Sequence, residues 1–188
     1  SLMPHANISR VWKKVDDYNF EQFPIGVYFG NANIVEVFGF DCIAGNLQKI
    51  KEPNTVIMSR SAAEQIGVGV GDQIWYEGGD WYNDGKPKSP QTIVAIYEDF
   101  SDNTFLHRCR IIRNDNLEFG QENNNWNYSF FVRLKEGADP EKFAKIWQAQ
   151  YDKWYKGMMA EYIAEYPEQA AEYGAEFLKD REQPVRLV

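Results

Sequence analysis

Apolar and polar positions along the chain follow two different rhythms, and the change falls near residue 138. Ahead of it, short apolar runs broken by Gly, Asn and Asp predict strands and short helices. Ile25–Phe29 reads as a strand. Asn31 is placed to cap a short helix through Phe38, with Ile34, Val37 and Phe38 on its apolar side. Phe40–Ala44 reads as a strand ending at Gly45-Asn46, and Thr55–Ser59 as a compact strand. A helix over Ala62–Ile66 follows, capped by Ser59 or Ser61 and stopped by Gly67. Gly71-Asp72 turns the chain into Gln73–Glu77, and Gln91–Tyr97 is the returning strand. The polar connection Gly78–Pro90 is too long for a tight hairpin and reads as a surface excursion.

Leu106–Ile112 reads as a strand between Asn-rich loops, and Tyr128–Leu134 as another, with Phe130, Val132 and Leu134 alternating against Ser129, Phe131 and Arg133. Beyond residue 138 the period becomes helical. Asp139 is an N-cap, and Pro140 takes the first helical position, where its missing N–H costs nothing. Phe143, Ile146, Trp147, Gln150, Tyr151, Trp154, Met158 and Tyr162 then recur at 3.6-residue spacing. Most of this stripe is expected to pack on the sheet. Pro167 interrupts the helix, and a second is expected from Glu168 to Lys179. The fold class is α+β: a mixed β-sheet lobe with short helices and a long, aromatic-rich C-terminal helical segment. One domain is expected over residues 3–188, with 101–127 as the place where a second small lobe forms or joins. Ser1-Leu2 ahead of Met3 reads as a remnant of expression.

Composition narrows the function classes. Aromatic residues make up 15% of the 188 positions, which excludes a disordered chain. The net charge of −8 and the lack of any basic run argue against nucleic acid or an anionic membrane surface as partner. No apolar stretch approaches the ~20 residues that cross a bilayer, and Ser1–Arg10 lack a signal-peptide pattern. Read alone, these residues predict a cytosolic protein.

No catalytic residue, cofactor-binding residue or metal ligand is assigned. His5 and His107 are the two histidines. His107 and Cys109 would face the same way on a strand, yet a surface His beside an inert thiol is the better reading. Cys42 sits in an apolar stretch that suits a small buried side chain; free thiols are favoured, although spacing leaves a Cys42–Cys109 pair open. The Asp80–Gly85 run fails as a calcium loop because Tyr82 occupies the third ligand position. Glu161, Glu165, Glu168, Glu172 and Glu176 read as a solvated helix face. Asp99 is expected to take backbone N–H groups in the turn after its strand, with Phe100 packing inward. Trp81 and Tyr82 differ from the other aromatics in lying within a polar loop, where a protein or sugar contact suits them. Trp126, after three Asn residues, is a weaker candidate contact.

Three segments carry a resemblance: Asn33–Asn46 (NIVEVFGFDCIAGN); Asn54–Gly78 followed by Gln91–Leu106 (QTIVAIYEDFSDNTFL); and Asn127–Trp147 (NYSFFVRLKEGADPEKFAKIW). In order and spacing they resemble the extracytoplasmic core domain of MacB/FtsX-type ABC transporter permeases, over roughly Ile34–Trp147. The resemblance implies a non-catalytic domain at the periplasmic face of a Gram-negative inner membrane, held by flanking transmembrane helices, with both ends near one face. It implies a cognate ATPase as partner, and a periplasmic lipoprotein, peptide, adaptor or cell-wall hydrolase as partner or cargo. The isolated domain is expected to be a monomer and the parent permease a dimer. The region Leu106–Asn127 is shorter than in relatives with an elongated second lobe, and the helical extension Tyr151–Arg181 is longer and more aromatic. The competing reading is a free-standing carbohydrate- or peptide-binding module that uses the three candidate aromatics.

Overall fold

The structure is a computed structural model that describes residues 10–76, 87, 89–114 and 131–168. In chain order the regular elements are strands β1 (Val11–Lys14), β2 (Phe20–Phe23) and β3 (Val27–Gly30), helix α1 (Ile34–Phe38), strands β4 (Cys42–Gly45) and β5 (Thr55–Ser59), and helix α2 (Arg60–Ile66). Strands β6 (Gln73–Tyr76), β7 (Ser89–Tyr97) and β8 (Ile111–Asn114) follow, then helix α3 (Pro140–Glu165). The chain divides into two compact units, residues 1–132 and 133–188. The described part of 101–127 belongs to the first.

The first unit is an eight-stranded mixed sheet in the order β2-β1-β6-β7-β5-β8-β3, with β4 also paired to β7. Strand β5 is buried at all five positions because it lies between two partners, parallel to β7 and antiparallel to β8. Period-two alternation sends its side chains to two cores. Ile57 joins Tyr97, Ile112, Tyr28 and Phe40 on the face carrying α1. Val56 and Met58 join Ile93, Ile111, Ile74 and Val11 on the face carrying α2.

Strand β7 is nine residues long and serves two shorter strands on one side. Its start pairs with β6 and its end with β4. Val94 is an extra residue at the changeover, since Val56 faces Ile93 while Ile57 faces Ala95. The bulge carbonyls are taken up locally: Ile93 O accepts from Gly71 N–H and Val94 O from Asn46 N–H, both at 2.9 Å. Gly45 is needed there. Its φ is +79°, and a Cβ would lie 2.2 Å from Val94 O.

The sequence placed α2 well: the Ser59 hydroxyl accepts from Ala62 N–H, and Gly67 closes the helix in the left-handed conformation. Lys13 adds a cationic cap, its Nζ donating to Ile66 O at 3.2 Å and Gly67 O at 2.6 Å.

Other expectations need correction. Helix α1 starts at Ile34 after Asn33, and Asn31 Oδ1 accepts from Asn33 N–H instead of capping the helix. Its buried residues are Ile34 and Val35, whereas Val37 and Phe38 are half-buried. Strand β4 is exposed throughout, Cys42 included, because it is an edge paired only to β7 among the described strands. Both cysteines are free and Cys109 is buried.

Residues Phe105–Arg108 form a 3-10 turn, and the strand comes later, at Ile111–Asn114. Buried Leu106 and Cys109 are three apart, as a turn requires, and Cys109 N–H donates to Leu106 O at 2.8 Å. Residues 131–135 have no strand pairing. Phe131 serves packing instead, stacked on Phe105 with centroids 4.9 Å apart and edge-on to Phe38 at 4.9 Å. Residues 128–130 lie outside the described set. The hairpin of β1 and β2 was not anticipated.

In the second unit, Asp139 Oδ1 accepts from Glu141 and Lys142 N–H groups, with Pro140 in the first turn, as the sequence requires. Helix α3 ends at Glu165, and helical geometry resumes at Pro167–Glu168. Its aromatic stripe is divided. Met159 is buried, while Phe143, Tyr151, Tyr155 and Met158 are half-buried. Ile146, Trp147, Trp154 and Tyr162 are exposed. The covered side therefore sits about a quarter-turn away from the side that hydrophobic spacing alone selects. The second helix expected to Lys179 lies beyond the described residues.

Candidate functional site

The chemistry nearest to a catalytic pair is taken up by the fold. His107 Nδ1 lies 2.6 Å from Thr104 O, which places the proton on that nitrogen, and Nε2 accepts from Arg108 Nε at 3.1 Å. Cys109 is buried two residues on, and burial pushes its thiol up to about 12. A thiol held protonated cannot act as a nucleophile at neutral pH. Its backbone carbonyl accepts from the Tyr97 hydroxyl, whose own pKa burial raises well above 10.0. Cys109 thus anchors the 3-10 turn to β7, while the His107 ring bonds within the turn itself.

Asp99 also works within the fold, though not where expected. It reaches across to the first turn of α2: Oδ2 accepts from Ser61 N–H at 2.8 Å, and Oδ1 accepts from the Ser61 hydroxyl. Arg110 Nε donates to Ser61 Oγ at 3.2 Å. Burial raises the Asp99 carboxyl, but the Ser61 hydroxyl and N–H, Ser59 and Arg110 together outweigh it, and the pKa falls below 3.8. Asp99 is therefore a long-range cap of α2, and no turn amide is its partner. Phe100 packs on the core beside Phe40, as expected. Glu161, Glu165 and Glu168 are exposed, and among the described residues no three His, Cys, Asp or Glu side chains are grouped to hold a metal.

Contact surfaces are more prominent than chemistry. A shallow groove of about 460 Å³ runs between β4 and α2, its apolar lining made by Ile43, Ala44, Ala63, Val68 and Ile96. Ile43 is the bulged residue of β4, since Cys42 faces Tyr97 and Ala44 faces Ile96. The bulge leaves Ile43 45% exposed along one wall. Arg60, Glu64 and Asp72 stand around the groove. Arg60 is ion-paired to Glu98. Glu64 and Asp72 have no cation within ion-pair distance among the described residues.

A second surface is the tip of the β1–β2 hairpin. Asp16 Oδ1 accepts from the N–H groups of Tyr18 and Asn19 at 2.8 and 2.9 Å, and this turn leaves Tyr18 93% exposed. Trp81, Tyr82 and Trp126, the contact residues expected from sequence, lie outside the described residues, as do His5 and both ends of the chain. The sequence reading missed Tyr18 and Ile43. The Asp16–Asn19 run between two apolar segments is a turn signal for the first, whereas nothing local marks Ile43 as an edge residue.

Taken together, the mixed sheet and its two cores define an α+β fold. The chain belongs to the family of MacB-like periplasmic core domains, which it matches over residues 5–150. Among solved structures it is similar to a domain assigned to a permease protein of Porphyromonas gingivalis. That likeness has 17% identity and a TM-score of 0.53, covering 78% of this chain and 65% of the other. It is also similar to the periplasmic region of MacB from Actinobacillus actinomycetemcomitans, with 9% identity and a TM-score of 0.50 over 79% and 64% of the two chains. The present chain thus spans slightly less than two-thirds of either relative. No curated protein matches it. Among the described residues no helix is long and apolar enough to cross a membrane.

Proposed function

We propose that this chain is the extracytoplasmic part of an ABC transporter permease and passes ATP-driven motion to a partner or cargo outside the membrane. The observation that carries this reading is the family match over residues 5–150, which takes in the whole sheet and the start of α3. The role asks the domain for rigidity and surface, with ATP hydrolysis left to a cognate cytoplasmic ATPase. A sheet with a core on both faces supplies the rigidity. On this reading the domain has no catalytic function of its own. It works at the periplasmic face of a Gram-negative inner membrane, on a lipoprotein, peptide, adaptor or cell-wall hydrolase. Trp81, Tyr82 and Trp126 are contact residues for that partner.

The test is the full reading frame expressed with its neighbouring ATPase. Apolar spans on both sides of this domain, membrane extraction as a complex and ATP-dependent distance changes between spin labels on the domain would support the proposal. A full-length protein that stays soluble without detergent and binds no ATPase would sink it.

A further inference from the structure

We propose that Arg113, held by the rings of Phe29 and Tyr76, is the anchor of a binding site for a carboxylate group. Its guanidinium carbon lies 5.4 Å from the centroid of the Phe29 ring and 5.2 Å from that of Tyr76. The rings reach it from both sides, since β3 and β6 flank β8 in the sheet order. Contact with two π systems fixes where a guanidinium stands and leaves its five N–H donors for other partners. Among the described residues none of those donors meets an acceptor: half-buried Arg113 makes no hydrogen bond and no ion pair.

The fold leaves these donors unused even where it has need of one. Gln91 is fully buried; its Nε2 donates to Pro90 O at 2.8 Å, while its Oε1 receives no hydrogen bond. Register sets Gln91 on the face that carries Arg113. Val56 stands level with both Arg113 and Ile93, and Gln91 lies two residues before Ile93. A guanidinium serving the fold alone would take a buried acceptor on its own face, because leaving one unpaired is costly. A planar fork of N–H donors matches a carboxylate, which accepts two parallel bonds from it. The net charge of −8 repels anions in general. A saturable anion response at this one guanidinium would therefore report a built site and not diffuse attraction. The site stands on geometry alone and is independent of the permease reading.

The experiment follows the Arg113 Nε–H signal and the backbone amides of the 188-residue chain by NMR. At constant ionic strength, chloride is replaced by acetate, by inorganic phosphate or by a capped Gly-Asp-Gly peptide. Acetate should move the Arg113 signal saturably, with amide shifts confined to Phe29, Tyr76, Arg113 and their strand neighbours. Arg113→Gln should abolish those amide shifts. Arg113→Lys keeps the charge and loses the fork, so acetate affinity should fall about fivefold or more. Phe29→Leu keeps Arg113 and removes one ring, which should weaken acetate about threefold. Thermal melts within a few degrees of the parent show that a variant is folded, and Phe29→Leu carries the test if the Arg113 variants melt early. Tighter binding of the peptide than of acetate would name an acidic side chain of a polypeptide as the source of the carboxylate. Equal affinity would name a free organic acid; either result upholds the site. A response to acetate that does not saturate, tighter binding of phosphate than of acetate, or undiminished affinity in Arg113→Lys or Phe29→Leu would each overturn it. An Arg113 signal that moves on dilution alone would assign the guanidinium to a second copy of the chain, against the proposal.

Discussion

Gly45→Ala would place a methyl carbon 2.2 Å from the Val94 carbonyl oxygen, over an ångström inside normal contact. Two costs add. A φ of +79° is unfavourable by about 1–2 kcal/mol for any residue with a Cβ. Moving the Val94 carbonyl out of the way would break its 2.9 Å bond from Asn46 N–H and leave an acceptor unpaired at the bulge, about 1–3 kcal/mol more. The total is about 2–5 kcal/mol. Gly39 is the control: its φ is +62°, but nothing lies within 4 Å of the Cβ position, so Gly39→Ala should cost only about 1–2 kcal/mol of strain. Urea denaturation followed by circular dichroism measures both. With a slope of about 1–3 kcal/mol per molar urea, the Gly45 variant should unfold at a clearly lower midpoint than the Gly39 variant, with slopes unchanged. Equal midpoints would refute the claim that close approach to β7, beyond conformation, fixes glycine at position 45.

Three further outcomes are expected. The Asp99 carboxyl titrates below 3.8 in the folded protein, so its stabilising effect is present above that value and is lost as pH falls through the folded pKa; Asp99→Asn should flatten the acid limb of a stability–pH curve, and an unchanged limb would contradict the capping role. Cys42 is exposed while Cys109 is buried with its thiol raised to about 12, so a thiol reagent at mildly alkaline pH should label one cysteine in the folded chain and two in urea, and mass spectrometry after Cys42→Ser should find none labelled in the folded chain. Trp81→Ala combined with Tyr82→Ala should reduce partner or cargo output of the full transporter while the domain's melting temperature stays within a few degrees; full output would remove these residues from the contact surface.

Where local rules decide the structure, the sequence announced it. Ser59, Gly67, Asp139 and Pro140 are cap residues whose function depends on neighbours within four positions, and α2 and the start of α3 fall where those residues put them. The strand pair Gln73–Tyr76 and Ser89–Tyr97 was likewise legible from alternation and turn signals. What escaped was non-local. Leu106, His107 and Cys109 have strand-like composition, yet packing against Tyr97 and the core sets a turn there. Phe131 reads as strand and is recruited by Phe38 and Phe105. The apolar run through Cys42 looks buried, but only the pairing order of the sheet reveals an edge. That order also hides the β4–α2 groove, because Ile43, Val68 and Ile96 come from three separate stretches of chain.

The position of β5 has a consequence for how the protein is made. Residues 55–59 lie between β7 and β8, and both neighbours are synthesised later, at 89–97 and 111–114. A nascent chain that has emerged only through α2 therefore holds the strand that is buried at all five positions without either partner. Pairing across such separations is slow, and an unpaired apolar strand is prone to aggregate. The first half of the chain should stay dependent on a chaperone or an export machine until about residue 114 has cleared it, and truncations ending before β8 should be degraded or insoluble in cells.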